Sequence, residues 1–339
     1  MQTKLIKLLI LFILLSGTSC RQFLDYFDEV KPVQLIVKDY ASGLLSPSGM
    51  VLDARGQLWV SEAGTGNNDS RISVIMPGGK VYTAIVGFSS SIFDGFPAGI
   101  THLALKDGVL WILHSGEGKL YQAEIATFKP GDSPLKANDL PSEDVGTFVK
   151  AYNFEHDTNE SNLFKITVGP DDALYIADAA ANAIIKRDKA GELSVFANIP
   201  GIKNPTSVGP PMLESVPTGI VFDGQKFYVT TFLGFPFPAD KGIIYQVDLK
   251  GKVSVYQQGF TGLIDLDLDL DKRPVVLELG TFGEQGPKPG TGKIIRASGK
   301  QQRVIIEGLN MPTDLVKANL RTYYVNSLTD GKVLQVTHP

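Results

Sequence analysis

Apolar and polar positions alternate with a period of two through most of this chain, in short runs closed by Gly, Asp or Pro. The pattern predicts strands and tight turns. In Leu174-Tyr175-Ile176-Ala177-Asp178, the alternation sends Leu174, Ile176 and Asp178 to one side of a sheet and Tyr175 and Ala177 to the other. Such runs recur as a larger unit, in which an apolar segment, a Gly or Asp turn and an aromatic-aliphatic strand end in a polar residue. The unit spans Pro47 to Glu62 and returns at Pro97 to His114, Leu163 to Asp178, Pro217 to Thr231, Leu263 to Glu278 and Pro312 to Ser327. Its starts lie 46 to 66 residues apart, near the period of a four-stranded propeller blade. Third strands (Ile184 to Arg187, Ile243 to Gln246) and Gly-led fourth strands (Gly191 to Val195, Gly251 to Val255) follow in the same order. The fold expected is all-β, a six-bladed β-propeller.

The last unit ends at Gly331 to Val336 with nothing after it to form an outer strand, whereas Val33-Gln34-Leu35-Ile36-Val37 has strand character and no unit of its own. An N-terminal strand completing the last blade would close the ring and cover a sheet edge. Large aromatics at Trp59, Trp111, Tyr175, Tyr228 and Tyr324 share one register, which reads as packing between blades. Two segments break the period. Residues from about Ala123 to Glu160 read as an insertion, and Phe232 to Pro238 holds two Phe-Pro pairs whose fixed φ makes an extended apolar loop, either a binding loop or a plug for the ring.

The first residues read as an address. Lys4 and Lys7, the apolar run Leu8 to Leu15 and the small residues Ser16 to Ser19 end at Cys20, the only cysteine. This resembles a bacterial lipobox, with Gly17 where Leu would be favoured; ordinary cleavage or an uncleaved anchor are the alternatives. On this reading residues 1–19 are a lipoprotein signal peptide, Cys20 is the lipidation site, residues 20–32 are a tether and residues 33–339 the propeller. The expected location is the bacterial cell envelope, as a membrane lipoprotein held by its lipid anchor. With one cysteine no disulfide forms within the chain. The formal net charge of −4 and the lack of a basic stretch give no footprint for nucleic acid, and a monomer is expected.

Several motifs together resemble the ScyD/ScyE family of exported proteins: Ser161-Asn162, Ala177-Asp178-Ala179-Ala180-Ala181-Asn182, Val216 to Gly219, Gly234 to Pro238, and Gly259-Phe260-Thr261 followed by Asp265-Leu266. The resemblance covers roughly residues 35 to 336 and implies a six-bladed propeller related to the NHL-repeat type, with no settled reaction. Ala180 and Leu163 depart from it, where the family prefers Gly and Pro, and both departures touch turn geometry.

Because the first and second strands of a blade form an antiparallel hairpin, the first starts and the second ends at one rim. Aligning the units puts Gly49, Gly99, Lys165, Gly219, Asp265 and Asp314 at the starts and Glu62, His114, Asp178, Thr231, Glu278 and Ser327 at the ends. The candidate rim for a small ligand or an envelope protein is therefore Glu62, His114, Lys165, Asp178, Asp265, Glu278 and Asp314, with Phe235 and Phe237 from the Phe-Pro loop. Asp178 and Glu62 equally suit a turn-organising role. Asp265 and Glu278 read as a close carboxylate pair, relieved by a divalent cation such as calcium or magnesium or by Lys165 from across the channel. The remaining acids of Asp265, Asp267, Asp269 and Asp271 read as a solvated strand face. Three functions stay open: a non-catalytic binding propeller, a metal-dependent lactonase or esterase resembling the gluconolactonase type, and a structural assembly component. The second lacks the Glu such enzymes place at the start of the first blade, where Ser46-Pro47-Ser48 stands. No convincing catalytic triad, phosphate loop or His/Cys cluster supports an enzyme.

Overall fold

The structure is a computed structural model that describes residues 35–155, 158–284 and 286–337. Six four-stranded antiparallel units are arranged as blades of a propeller. Blade 1 contains Pro47–Leu52, Leu58–Glu62, Ser70–Ile75 and Val81–Phe88; blade 3, Leu163–Val168, Leu174–Asp178, Ala183–Arg187 and Leu193–Asn198; blade 4, Ser215–Phe222, Phe227–Leu233, Gly242–Val247 and Val253–Phe260. Blade 5 contains Leu263–Leu268, Pro274–Glu278, Gly292–Ala297 and Gln302–Leu309. In blade 6, Pro312–Asn319, Thr322–Ser327 and Lys332–Thr337 are joined by Ile36–Ser42, which pairs antiparallel from Ile36 opposite Thr337 to Ser42 opposite Lys332. That strand runs past the apolar stretch into Lys38 and Asp39, as suits an outermost strand with one edge in water. The proposed signal peptide, Cys20 and the tether lie outside the described residues.

What holds the ring together is six apolar clusters, one at each blade interface. Leu174 and Ile176 pack toward blade 2 with Leu113 and Leu120, while Tyr175 and Ala177 pack toward blade 4 with Phe227 and Val229. Equivalent clusters fill the interfaces of blades 1 and 2, 4 and 5, 5 and 6, and 6 and 1. Each blade thus buries both faces, which is why its central strands carry apolar residues at nearly every position. The repeated aromatics lie in these seams: Trp59 is fully buried against Phe128, Tyr175 meets Phe196 and Phe227, Tyr228 meets Tyr256, and Tyr324 meets Tyr40. Trp111 carries the Arg187 guanidinium 4.9 Å from its ring.

Two boundaries differ from expectation. Blade 2 starts at Ile100, with strands Ile100–Lys106, Val109–His114, Lys119–Glu124 and Ser142–Asp144. Pro97 belongs instead to a separate hairpin, Ser91–Phe93 with Phe96–Ala98, turned at Asp94 and Gly95, both with positive φ. The segment from Ala123 to Glu160 is more than an insertion. It supplies the short, polar fourth strand of blade 2, lays Leu135–Lys136 parallel on the outer strand of blade 1, and forms the helix Val145–Ala151, capped by Asp144 accepting from Thr147 N at 2.9 Å.

Candidate functional site

Every first strand enters the ring through a bulge, one residue in most blades, that displaces the residues after its start relative to the second strand. Leu163 lies opposite Asp178 and Lys165 opposite Ala177; Leu263 lies opposite Glu278 and Asp265 opposite Leu277. The bulge makes two distinct rings of side chains around the channel. The upper contains Ser48, Thr101, Phe164, Thr218, Ile264 and Thr313, and the lower Gly49, His102, Lys165, Gly219, Asp265 and Asp314. His102, not Gly99, occupies the blade 2 position of the lower ring, because the hairpin before blade 2 shifts the alignment by three residues.

Hydroxyls of the upper ring tie each blade to the next. Ser48 Oγ donates to Thr101 O at 2.9 Å, Thr101 Oγ1 to Leu163 O at 2.9 Å, Thr218 Oγ1 to Leu263 O at 2.9 Å and Thr313 Oγ1 to Pro47 O at 3.0 Å. Phe164 and Ile264 interrupt this belt, and Phe164 crosses from blade 3 to pack on the core between blades 5 and 6. Glycine in the lower ring makes room for the neighbouring strand. A Cβ on Gly49 would stand 2.7 Å from the Cα of His102.

The charged groups of the lower ring pair with one another, whereas the buried Nε2 of His102 has no hydrogen-bond partner. Lys165 Nζ spans the channel to Asp314 Oδ1 at 2.6 Å and Asp265 Oδ1 at 2.8 Å, and both carboxylates are fully buried. The two acids also cap inner-edge amides of adjacent strands: Asp265 Oδ2 accepts from Leu315 N at 2.9 Å, and Asp314 accepts from Met50 N. Burial would lower the Lys165 pKa, but the carboxylates of Asp265 and Asp314 outweigh it and raise it. Burial drives Asp265 well above the usual carboxylate range against the pull of Lys165, whereas for Asp314 the Lys165 charge and the Asp265 carboxyl overcome burial and hold it low. The two carboxyls are therefore pushed in opposite directions around one ammonium and titrate as a coupled set. His102 is kept neutral by burial and by the nearby Lys165 charge, its pKa pushed down to about 4, and its Nδ1–H donates to Phe164 O at 2.6 Å.

The aspartate run is therefore not a solvated face. Asp265 and Asp269 are buried, and Asp267 Oδ2 accepts from Lys317 N at 2.7 Å, repeating one step along the strand what Asp265 does for Leu315. The inner strand of blade 6 has no further strand to pair with, so its exposed amides draw acceptors from blade 5.

Residues at the ends of the second strands have a different task. Glu278 accepts from Thr261 N at 2.7 Å, Asp178 from Asn162 N at 2.9 Å and Glu62 from Leu45 N, so each carboxylate fastens the loop entering its own blade. Asp178 also accepts from Ser161 Oγ, Ala180 N and Ala181 N, and Glu62 pairs with Arg71 at 2.9 Å. His114 bridges Ser89 and Glu117, its Nδ1 accepting from Glu117 N at 3.3 Å, and burial lowers its pKa. The bulge at Ile264 keeps Asp265 and Glu278 from facing each other, so the expected carboxylate pair does not form. Asp265 is committed to Lys165 and Leu315 N, and among the described residues no group of three or more His, Cys, Asp or Glu converges.

Above the upper ring lies a cavity of about 380 Å³ at the channel mouth. Phe93, Phe96, Phe164, Ile264, Leu279 and Phe282 form much of its wall, and Ser48, Thr101, His102 and Thr313 its base. None of the nine rim candidates lines it. Lys165, Asp265 and Asp314 lie in the lower ring, beneath the upper-ring residues of this base. Phe235 and Phe237 stand outside, Phe237 stacked on the outer side of Phe282 with centroids 4.7 Å apart, so the Phe-Pro loop buttresses the mouth and does not plug it. The wall residues were legible in one respect: most of its inner positions directly follow the start of a unit, one place before the position chosen from the alignment.

The chain matches no family model and no curated protein. Solved structures do resemble it. A catalytically inactive virginiamycin B lyase from Staphylococcus aureus with quinupristin is 15% identical, with 90% of this chain and 99% of that one covered at a TM-score of 0.55. The fold is that of a six-bladed propeller. The PQQ-bound aldose sugar dehydrogenase from Streptomyces coelicolor superposes at 0.56 with 15% identity over 90% of this chain and 99% of its own. A structural-genomics protein given as a candidate gluconolactonase does so at 0.57 with 13% identity over 92% and 94%. At such identities the likeness extends to the fold alone.

Proposed function

We propose that this chain is a lipid-anchored propeller of the cell envelope, of the ScyD/ScyE type, that binds a small ligand or part of an envelope protein at the channel mouth without catalysing a reaction. One observation carries the reading: the ionisable groups of the channel are buried beneath the mouth and committed to each other, while the cavity above them is walled mainly by apolar side chains. The hydrolase reading draws no support from these residues, since its hard-oxygen ligands serve as backbone caps and ion-pair partners. Among the described residues no helix is long and apolar enough to cross a membrane.

Replacing Ala98, which lines the mouth, by Trp should fill the cavity from the hairpin side. Native mass spectrometry of the protein after exposure to an organic extract of cell envelopes should then show an adduct on the wild type that is missing from Ala98→Trp. No adduct on the wild type would count against a small ligand. Cys20→Ser should release the protein from the membrane fraction while leaving its melting temperature unchanged. Unaltered fractionation would refute lipidation.

A further inference from the structure

The chemistry of the mouth cavity narrows what it can hold, provided the mouth is the binding site proposed above. Its polar groups are largely spent. Ser48, Thr101 and Thr313 already donate their hydroxyls to backbone carbonyls, the His102 imidazole is neutral with Nδ1–H given to Phe164 O, and Lys165 is tied to Asp265 and Asp314. The buried Nε2 of His102, which has no hydrogen-bond partner, is an acceptor left at the base, enough for a single donor on an otherwise apolar molecule. Asp94, at the exposed tip of the hairpin, is the only Asp, Glu, Lys or Arg among the lining residues. A sugar or an ion entering here would leave buried hydroxyls or charge without partners, each a cost of about 1–3 kcal/mol or more.

The lip of the cavity shows the complementary feature. Phe93 is 77% exposed and Phe96 39% exposed, on a hairpin held at its base by Ser90 and Asp69. Across the cavity Phe282 is backed by Phe232 and Phe237. Large apolar side chains at the edge of a cavity of ligand size gain only from an apolar surface laid against them.

We propose that the mouth binds an uncharged, predominantly apolar small molecule, held between the Phe93–Phe96 hairpin on one side and Phe164 and Phe282 on the other. Binding covers the hairpin phenylalanines and leaves the ion cluster beneath undisturbed.

The test uses the chain from residue 21 onward, which keeps all six blades and their cores, with the neutral fluorophore N-phenyl-1-naphthylamine as probe and D-glucono-1,5-lactone as the polar comparison. The probe should bind one to one with a blue-shifted emission, and the lactone should not displace it. Phe93→Ser with Phe96→Ser should weaken binding about tenfold or more, from the loss of apolar area. Ala98→Trp should abolish it. Leu270→Ser, an exposed apolar residue on the opposite rim, should leave it unchanged, and matching melting temperatures would establish that the variants are folded. Absence of probe binding, or binding insensitive to the hairpin and Ala98 variants, overturns the proposal. Lactone binding that Ala98→Trp blocks, with no probe binding, overturns the apolar class and leaves the mouth as a site. Binding of neither, with no adduct from envelope extracts, removes both.

Discussion

Lys165→Met is expected to cost about 3–5 kcal/mol of folding stability, the usual penalty for leaving a buried charge without its partner. Lys165 is the cation between Asp265 and Asp314, and it joins blade 3 to blades 5 and 6 across the channel. Methionine keeps much of the stem's packing, so the loss reports the charge. The pH dependence carries the sign. Asp265 has a folded pKa raised by burial, so its contribution is present at low pH and fades as pH rises through that value; Asp314 is held low by Lys165 despite burial, so its contribution is present above the ordinary carboxylate range and fades as pH falls toward about 2. Without Lys165 both acids lose the charge that lowers them, and the penalty should shrink between pH 8 and pH 5 as the pair takes up a proton. Urea unfolding at the two pH values, with Lys165→Met and Lys165→Met/Asp265→Asn, measures this. The double variant should recover part of the loss at pH 8. Calcium or magnesium should leave the wild type's melting temperature unchanged and raise that of Lys165→Met, whose two carboxylates keep their backbone amides but have lost the ammonium between them. A wild type stabilised by calcium through Asp265 would replace the ion-cluster account with a metal site.

Removing residues 21–42 should be comparably damaging, whereas removing 21–35 should not. The strand Ile36–Ser42 contributes a full ladder to Lys332–Thr337, and it brings Ala41 and Tyr40 into the core between blades 6 and 1. Ladder bonds worth about 1 kcal/mol each and the lost apolar contacts imply about 4 kcal/mol or more, together with a newly exposed sheet edge that favours association. Thermal melting and light scattering of the two truncations decide the matter. If the shorter chain stays monomeric and melts within a degree or two of the longer one, this strand does not hold the ring.

The architecture could be read from local pattern. Alternation in Leu174 to Asp178 assigned side chains to the blade interfaces where they now pack, and the shared register of Trp59, Tyr175, Tyr228 and Tyr324 marked the seams, because strand periodicity and burial are properties of short segments. The turn-organising role of Asp178 was also visible, since its partners lie within seventeen residues.

The site was harder to read because its contacts are set by bulges and by residues far apart in the chain. A displaced residue at Ile264 turns Asp265 away from Glu278, its expected partner in the same hairpin, toward Lys165 and Leu315 N, 100 and 50 residues distant. A hairpin at Asp94-Gly95 moved the blade 2 register and hid His102, although the dipeptide itself is a turn signal. From residue order alone follow the strands, the six blades and the faces they bury, since these depend on periodicity. Only the closed ring decides which carboxylates meet an ammonium, which cap a neighbour's amides, and that the open space at the mouth is apolar, because those outcomes depend on which strands the ring brings together across its axis.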